Sequence, residues 1–165
     1  MIELKISYRY QKVIVLLDEE DAELCEIAWR ITKNREHLYA RKKINGKTVY
    51  LHTLVLERKL GRSLESDERA EHKNRRSTDN TRENLRPATR SQNAANTLGR
   101  KTSSLGFHGV TRNRQGYAAA IQYRGIGEWL GTYRTPEEAH EVFKRRHAEV
   151  HGEFSPYWKE KTTDN

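Results

Sequence analysis

Glu71 and His72 stand side by side, Asn84 follows the histidine by twelve positions, and Asn93 comes nine after that. The run reads EHKNRRSTDNTRENLRPATRSQNAAN: one imidazole beside one carboxylate, with well-spaced carboxamides, among five arginines. A carboxylate and a carboxamide offer the oxygen donors that a hard divalent cation prefers. A neutral imidazole can take a proton from water. Arginines attract phosphate oxygens. Brought together, these groups are the parts needed to hold one magnesium ion against a phosphodiester and activate a water, with manganese or another divalent ion as a substitute.

Those residues need a scaffold, and the composition limits its size. The chain has 165 residues, 35% hydrophobic and 33% charged, which favours small modules over one large core. Its formal net charge is +8, so a polyanion is the natural partner. Cys25 is the only cysteine, which excludes an internal disulfide and a thiolate zinc cluster and suits a reducing, cytoplasmic setting. No apolar run is long enough to span a bilayer, and Val13 to Leu17 is too short for the core of a secretory signal. No membrane partner is expected.

Strands are expected within Ile2 to Val15, from Trp29 to Thr32 and from Leu38 to Lys43. Asp18 to Asp21 opens a short helix through Cys25, with acids at its positive end. Asn45-Gly46 predicts a two-residue hairpin turn leading into a strand from Lys47 to Leu51. Leu51, Leu54, Val55 and Leu60 lie on one face of a helix. Leu85 to Thr89 suits an edge strand because it contains Pro87. A helix over Ser91 to Leu98 would be capped at Thr89 or Ser91. On a strand, Glu71 and His72 point to opposite faces, so a bend or bulge is expected to let both serve one site. Taken singly, Asn74, Asn80 and Asn96 read as structural residues, and His52 as a packing or phosphate-contact residue.

His72, then Glu83-Asn84-Leu85-Arg86, then Thr89 and Asn93 resemble the motif of HNH endonucleases, in the H-N-N form of phage homing enzymes. Tyr50 to Val55 and the block from Leu17 to Trp29 resemble the segments that precede it. The resemblance implies a ββα-metal fold, with His72 as general base and Asn84 orienting its ring. It implies Glu71 and Asn93 as metal ligands. Glu71 replaces the family's usual aspartate, Lys73-Asn74-Arg75 replaces an isoleucine-asparagine-glycine turn, and Asp67 to Ala70 is unusually polar for the preceding strand.

After a small, basic stretch (GRKTSS, 99–104) the pattern changes. Phe107 to Arg112, Tyr117 to Tyr123 and Glu128 to Tyr133 are strand candidates. Thr135-Pro136-Glu137-Glu138 then opens a helix with a capping box, and Gly152 ends it. Ala139, Val142, Phe143 and Val150 are expected on its buried face. Gly109-Val110, Tyr117 to Ile121, Trp129 to Tyr133, Glu137 to Ala139 and Gly152-Glu153-Phe154 resemble the APETALA/ethylene-response-factor type of DNA-binding domain. That resemblance implies a three-stranded sheet in the major groove, backed by the helix. His108, Arg112, Arg114, Gln122, Arg124 and Trp129 are the candidate contacts. Thr111, Asn113, Gln122 and Gly127 stand where that family carries arginines. Lys144-Arg145-Arg146 reads as a solvated face of the helix.

The expected class is α+β. A small β-rich region leads into a ββα-metal core at about 50–98, within a nuclease region over 1–98. A linker at 99–104, a DNA-binding domain at 105–157 and a tail at 158–165 follow. The expected activity is metal-dependent hydrolysis of double-stranded DNA, by nicking or double-strand cleavage. Both a monomer and a homodimer are open. The alternative is a sequence-specific DNA-binding regulator with a decayed nuclease core, supported by the polar strand before His72.

Overall fold

Alternating apolar residues at the N-terminus pair as the antiparallel hairpin β1 (Ile2–Tyr8) and β2 (Gln11–Leu17). The computed structural model describes residues 1–98 and 105–158. Two compact units divide the chain, Met1–Asn93 and Ala94–Asn165. The expected linker at 99–104 lies outside the described residues, as does the expected tail beyond Trp158. Several small antiparallel sheets and few helices give a mixed organisation compatible with the α+β class. No helix among the described residues is long and apolar enough to cross a membrane.

In the first unit, the expected helix through Cys25 is a 3-10 segment over Glu19–Glu26, broken at Asp21. Asp21 leaves helical geometry because its carboxylate turns inward and is fully buried between Arg58 and Arg82. A three-stranded sheet follows, β3 (Arg30–Asn34), β4 (His37–Ile44) and β5 (Lys47–Tyr50), in that order across the sheet. Asn45 and Gly46 turn β4 into β5 with φ of 49° and 78°, the positive pair that this hairpin turn requires. Helix α1 (Leu51–Leu60) ends at Gly61 in the left-handed conformation. Its buried residues are Leu51, Val55 and Leu56, which join Val15, Leu17, Leu24, Trp29 and Leu85 in the core.

The polar stretch before His72 does form a strand, β6 (Glu68–His72), paired with β7 (Leu85–Thr89). Apolar side chains do not define it. Glu71 lies directly opposite Arg86 and Ala70 opposite Pro87, so a charge pair across the ladder replaces hydrophobic patterning. The short helix α2 (Arg90–Ala95) follows at once. Thr89 and Gln92 cap its start reciprocally, the Thr89 hydroxyl accepting from Gln92 N–H and the Gln92 amide from Thr89 N–H.

In the second unit, β8 (Val110–Asn113), β9 (Gly116–Tyr123) and β10 (Ile126–Tyr133) form an antiparallel sheet with β9 central. Helix α3 (Pro136–His151) opens with the expected Thr135–Glu138 capping box and ends at Gly152. Val110, Ala119 and Ile121 pack with Ala139 and Phe143. Gly109 has φ of 72°, and a Cβ there would fall 2.0 Å from a Phe143 ring carbon, so only glycine fits. Val142 is only partly buried; His147 is buried on that face instead. Its Nδ1 lies 2.8 Å from the Ser155 hydroxyl. Arg146, expected to be solvated, pairs with Glu128 of β10 at 2.9 Å.

Burial, and then the neighbouring His151 and His108, push the His147 imidazole down to about 4. A folded-state value below the unfolded one means that the neutral ring favours the fold. The contribution is complete above the unfolded value near 6.5 and is lost as pH falls from there through about 4. Ring titration of His147 by NMR is expected near 4, and His147→Gln is expected to flatten the acid limb of unfolding. A titration near 6.5 would refute the burial argument.

Candidate active site

The loop between β6 and β7 is long and polar, yet its side chains are tied down. Asn84 accepts from Asn74 N–H at 2.9 Å and donates to the Asp79 carbonyl at 2.7 Å. Asn74 donates its amide to Asp79 at 2.6 Å, and Thr81 donates its hydroxyl to the other Asp79 oxygen at 2.8 Å. The backbone of β2 holds the same loop from outside. Leu16 N–H donates to Thr78 O at 2.8 Å, and Asn80 N–H donates to Leu16 O at 2.9 Å. From β4, Leu38 N–H donates to the Ser77 hydroxyl at 3.1 Å.

This bracing fixes Asn80, which is almost fully buried with its amide oxygen 2.8 Å from His72 Nε2. An amide oxygen only accepts, so Nε2 carries the proton and the basic lone pair of the neutral ring is on Nδ1. The family resemblance implies the ring-orienting role for Asn84, and Asn80 taken singly reads as structural. The structure puts Asn80 against the ring, while the side-chain bonds of Asn84 described above hold the loop backbone. The signal for Asn80 was weak, a carboxamide in a polar loop, and its role depends on a contact with β2 far away in the sequence.

Glu71, His72 and Asn93 line one cleft of about 770 Å³. Tyr39, Tyr50, His52, Thr53 and Arg69 share it. No bulge interrupts the pairing of β6 with β7, contrary to expectation: Glu71 faces Arg86 and His72 faces Leu85 in unbroken register. His72 is the last residue of the strand, and both it and Glu71 line the cleft. Burial lowers the affinity of His72 for a proton, while the Asn80 bond and the charge of Asp79 oppose that effect. His52 lies with its ring centroid 5.1 Å from that of His72. Burial, with His72 adding to it, takes His52 down to about 3, so it is a neutral wall of the cleft. Tyr39, which no sequence motif marks, completes that wall at 5.4 Å from His52.

Glu71 is buried, and its Oε2 accepts from Arg86 Nε at 2.5 Å. Glu71 and Asn93 nonetheless line the His72 cleft, as do the oxygen donors Asn34, Glu65 and Glu68, and a carboxylate with a carboxamide is a donor pair suited to magnesium. Among the described residues, no group of three or more His, Cys, Asp or Glu side chains is placed to hold a metal.

In the second unit, the candidate DNA contacts divide between surfaces. Register and alternation put Thr111, Asn113, Ala118, Ala120, Gln122, Gly127, Trp129 and Thr132 on the sheet face away from α3. Trp129 is 69% exposed there. Arg114 and Arg124 occupy the two turns, the latter with φ of 52°. Arg112 lies opposite Tyr117, two positions from Val110 and so on the helix side. His108 is turned inward, its ring 4.8 Å from Phe143 and 6.0 Å from His147. The positively turned Gly109 carries the chain past Phe143, which removes His108 from the open face.

Residues 49–95 match the family model of HNH endonucleases. The matched segment holds α1, the β6–β7 pair and α2 with all four residues of the Glu71–His72–Asn84–Asn93 set. The match supports an HNH nuclease and nuclease activity on DNA. No curated protein and no solved structure matches the chain.

Asn80→Ala is expected to slow DNA cleavage roughly 10- to 100-fold, the cost of a mispositioned group. Asn80→Asp, which keeps an acceptor, is expected to recover most of that loss. Nitrogen NMR of the His72 ring reads the tautomer directly. An unaltered tautomer and an unaltered rate in Asn80→Ala would remove Asn80 from the site.

Proposed function

We propose that the chain is a DNA endonuclease of the ββα-metal type, with His72 as general base and one divalent metal. The observation that carries this reading is the convergence of Glu71, His72 and Asn93 on one cleft, with Asn80 bonded to the far side of the ring. His72 accepts the proton of the attacking water at Nδ1, because Nε2–H is committed to Asn80. Asn84 holds the loop that carries Asn80. Glu71 and Asn93 would hold the metal, and their two oxygens leave room for the waters that magnesium retains. When bound, the metal supplies charge relief at the phosphoryl and leaving-group oxygens; manganese could substitute. The walls formed by His52 and Tyr39 limit water around the base. One such site per chain cuts one strand, and cutting both requires two chains. Plasmid nicking with magnesium and with chelator is the test, and its absence with magnesium rejects the reading.

The second unit serves this enzyme as a reader of double-stranded DNA, by its resemblance to the APETALA-type domain. Gln122 and Trp129 on the open face, flanked by Arg114 and Arg124 in the turns, support major-groove contact by a sheet. Thr111, Asn113 and Gly127 on that face make its base preference differ from that of the arginine-bearing family. Trp129→Ala with Gln122→Ala is expected to weaken duplex binding. Full affinity in that variant rejects the reader role. The phage homing type also rests on resemblance.

One observation favours a second reading, a DNA-binding regulator that no longer cuts. The Glu71 carboxylate is engaged by Arg86 in a buried pair. A chain that binds duplex but never nicks it with magnesium or manganese supports that alternative.

A further inference from the structure

A second cleft, of about 430 Å³, is lined by Ala28, Arg30, Arg41, Lys42 and Lys43, four cations and no acid. Arg30 stands directly opposite Arg41 on neighbouring strands. Like charges in that relation destabilise a sheet. Among the described residues none of the four forms an ion pair. The Arg41 Nε is buried and has no hydrogen-bond acceptor. A buried N–H without an acceptor is costly. An anion bound between the two guanidiniums offsets their repulsion.

The sheet itself relates this groove to the candidate active site. Side chains alternate along a strand, so Arg30 shares a face with Thr32, and Arg41 with Tyr39 and Lys43. Thr32 pairs with Tyr39, and both line the Glu71–His72 cleft. Tyr50, paired with Arg41, lines it too. The arginine pair is therefore two residues further along the same face, about 7 Å away. Duplex DNA advances about 3.4 Å per nucleotide along its axis, so the site lies within about two nucleotides of the scissile bond.

We propose that Arg30, Arg41 and Lys43 form a phosphate-binding site for the backbone of the duplex whose scissile bond enters the Glu71–His72 cleft. The site rests on the nuclease reading for the identity of its ligand. Its contacts are to phosphate, so it sets the register of the duplex and adds affinity without reading sequence. It also places a backbone contact in the first unit, separate from the reader.

The test uses the full chain carrying His72→Ala, so that a fluorescent duplex is bound and not cut. Adding Arg30→Gln and Arg41→Gln is expected to raise Kd roughly tenfold near physiological salt, and to reduce the slope of log affinity against log salt by about 2. The thermal midpoint is expected to hold or rise, because the repulsion is relieved. An unchanged Kd and slope overturn the site. A lowered midpoint with an unchanged slope assigns the arginines to the scaffold and overturns it too. Inorganic phosphate that shifts the Arg41 Nε resonance, without the variants affecting duplex affinity, marks a free-phosphate site and also rejects the proposal. If the variants weaken duplex binding but the chain with His72 restored does not nick DNA, the site stands and the nuclease reading falls. A parent chain that does not bind duplex at all rejects both.

Discussion

His72→Ala is expected to lower magnesium-dependent nicking by about 100- to 10,000-fold, the range that general-base catalysis contributes. Affinity for duplex DNA is expected to survive, because the ring touches a buried amide and the cleft walls rather than a basic surface. The ring is 8% exposed, so the variant also needs a stability control. His72→Gln supplies one, since its amide can donate to Asn80 as Nε2–H does while lacking a comparable base. Both variants should be folded and inactive. Undiminished cleavage in either one would take the base role away from His72.

The second large effect concerns stability. Asp21 is fully buried and accepts from Arg58 Nε at 2.8 Å, from Arg82 Nε at 2.8 Å and from Arg82 Nη2 at 3.1 Å. It thereby ties the 3-10 segment to α1 and to the loop entering β7. Asp18 adds an acceptor for Arg82 N–H at 2.7 Å, and Glu20 pairs with the same guanidinium. Breaking a buried charge pair typically costs about 3 to 5 kcal/mol, and here Asp21 is the buried partner, while Glu23 and Glu20 pair with Arg58 and Arg82 at exposed positions. Asp21→Ala is expected to fall in that range, read by denaturant unfolding of the first unit through Trp29, which is buried. Glu20→Ala, at an exposed position, is expected to cost about 1 kcal/mol or less. Equal effects from the two substitutions would show that the buried network has no special weight.

Legibility in the sequence tracked the range of the interactions. Asn45-Gly46 and Thr135-Pro136-Glu137-Glu138 announced their structures because turns and caps are settled within four residues. The extent of α1 and the three strands of the second unit were equally readable from local periodicity. Asn80 was not, because its importance comes from the β2 backbone meeting the loop after β6. Asp21 read as one acid in an acidic helix start, whereas its partners lie on α1 and beside β7. Strand β6 looked weak by hydrophobic pattern, since its cross-strand charge pair is invisible to any single-strand rule. His108 read as a surface contact for a related reason: the turn at Gly109 that faces it inward is set by Phe143, on a helix.

The two bonds between Leu16 and the Thr78–Asn80 segment bear on modular engineering. The stretch recognisable by family, 49–95, excludes the β2 residue that makes them. A cassette cut at those limits and grafted onto an unrelated DNA-binding domain would carry His72 and Asn80 but leave the carboxamide without its β2 anchor. The smallest transferable cutting module therefore begins with the N-terminal hairpin, and a chimaera that omits it should trade turnover for portability.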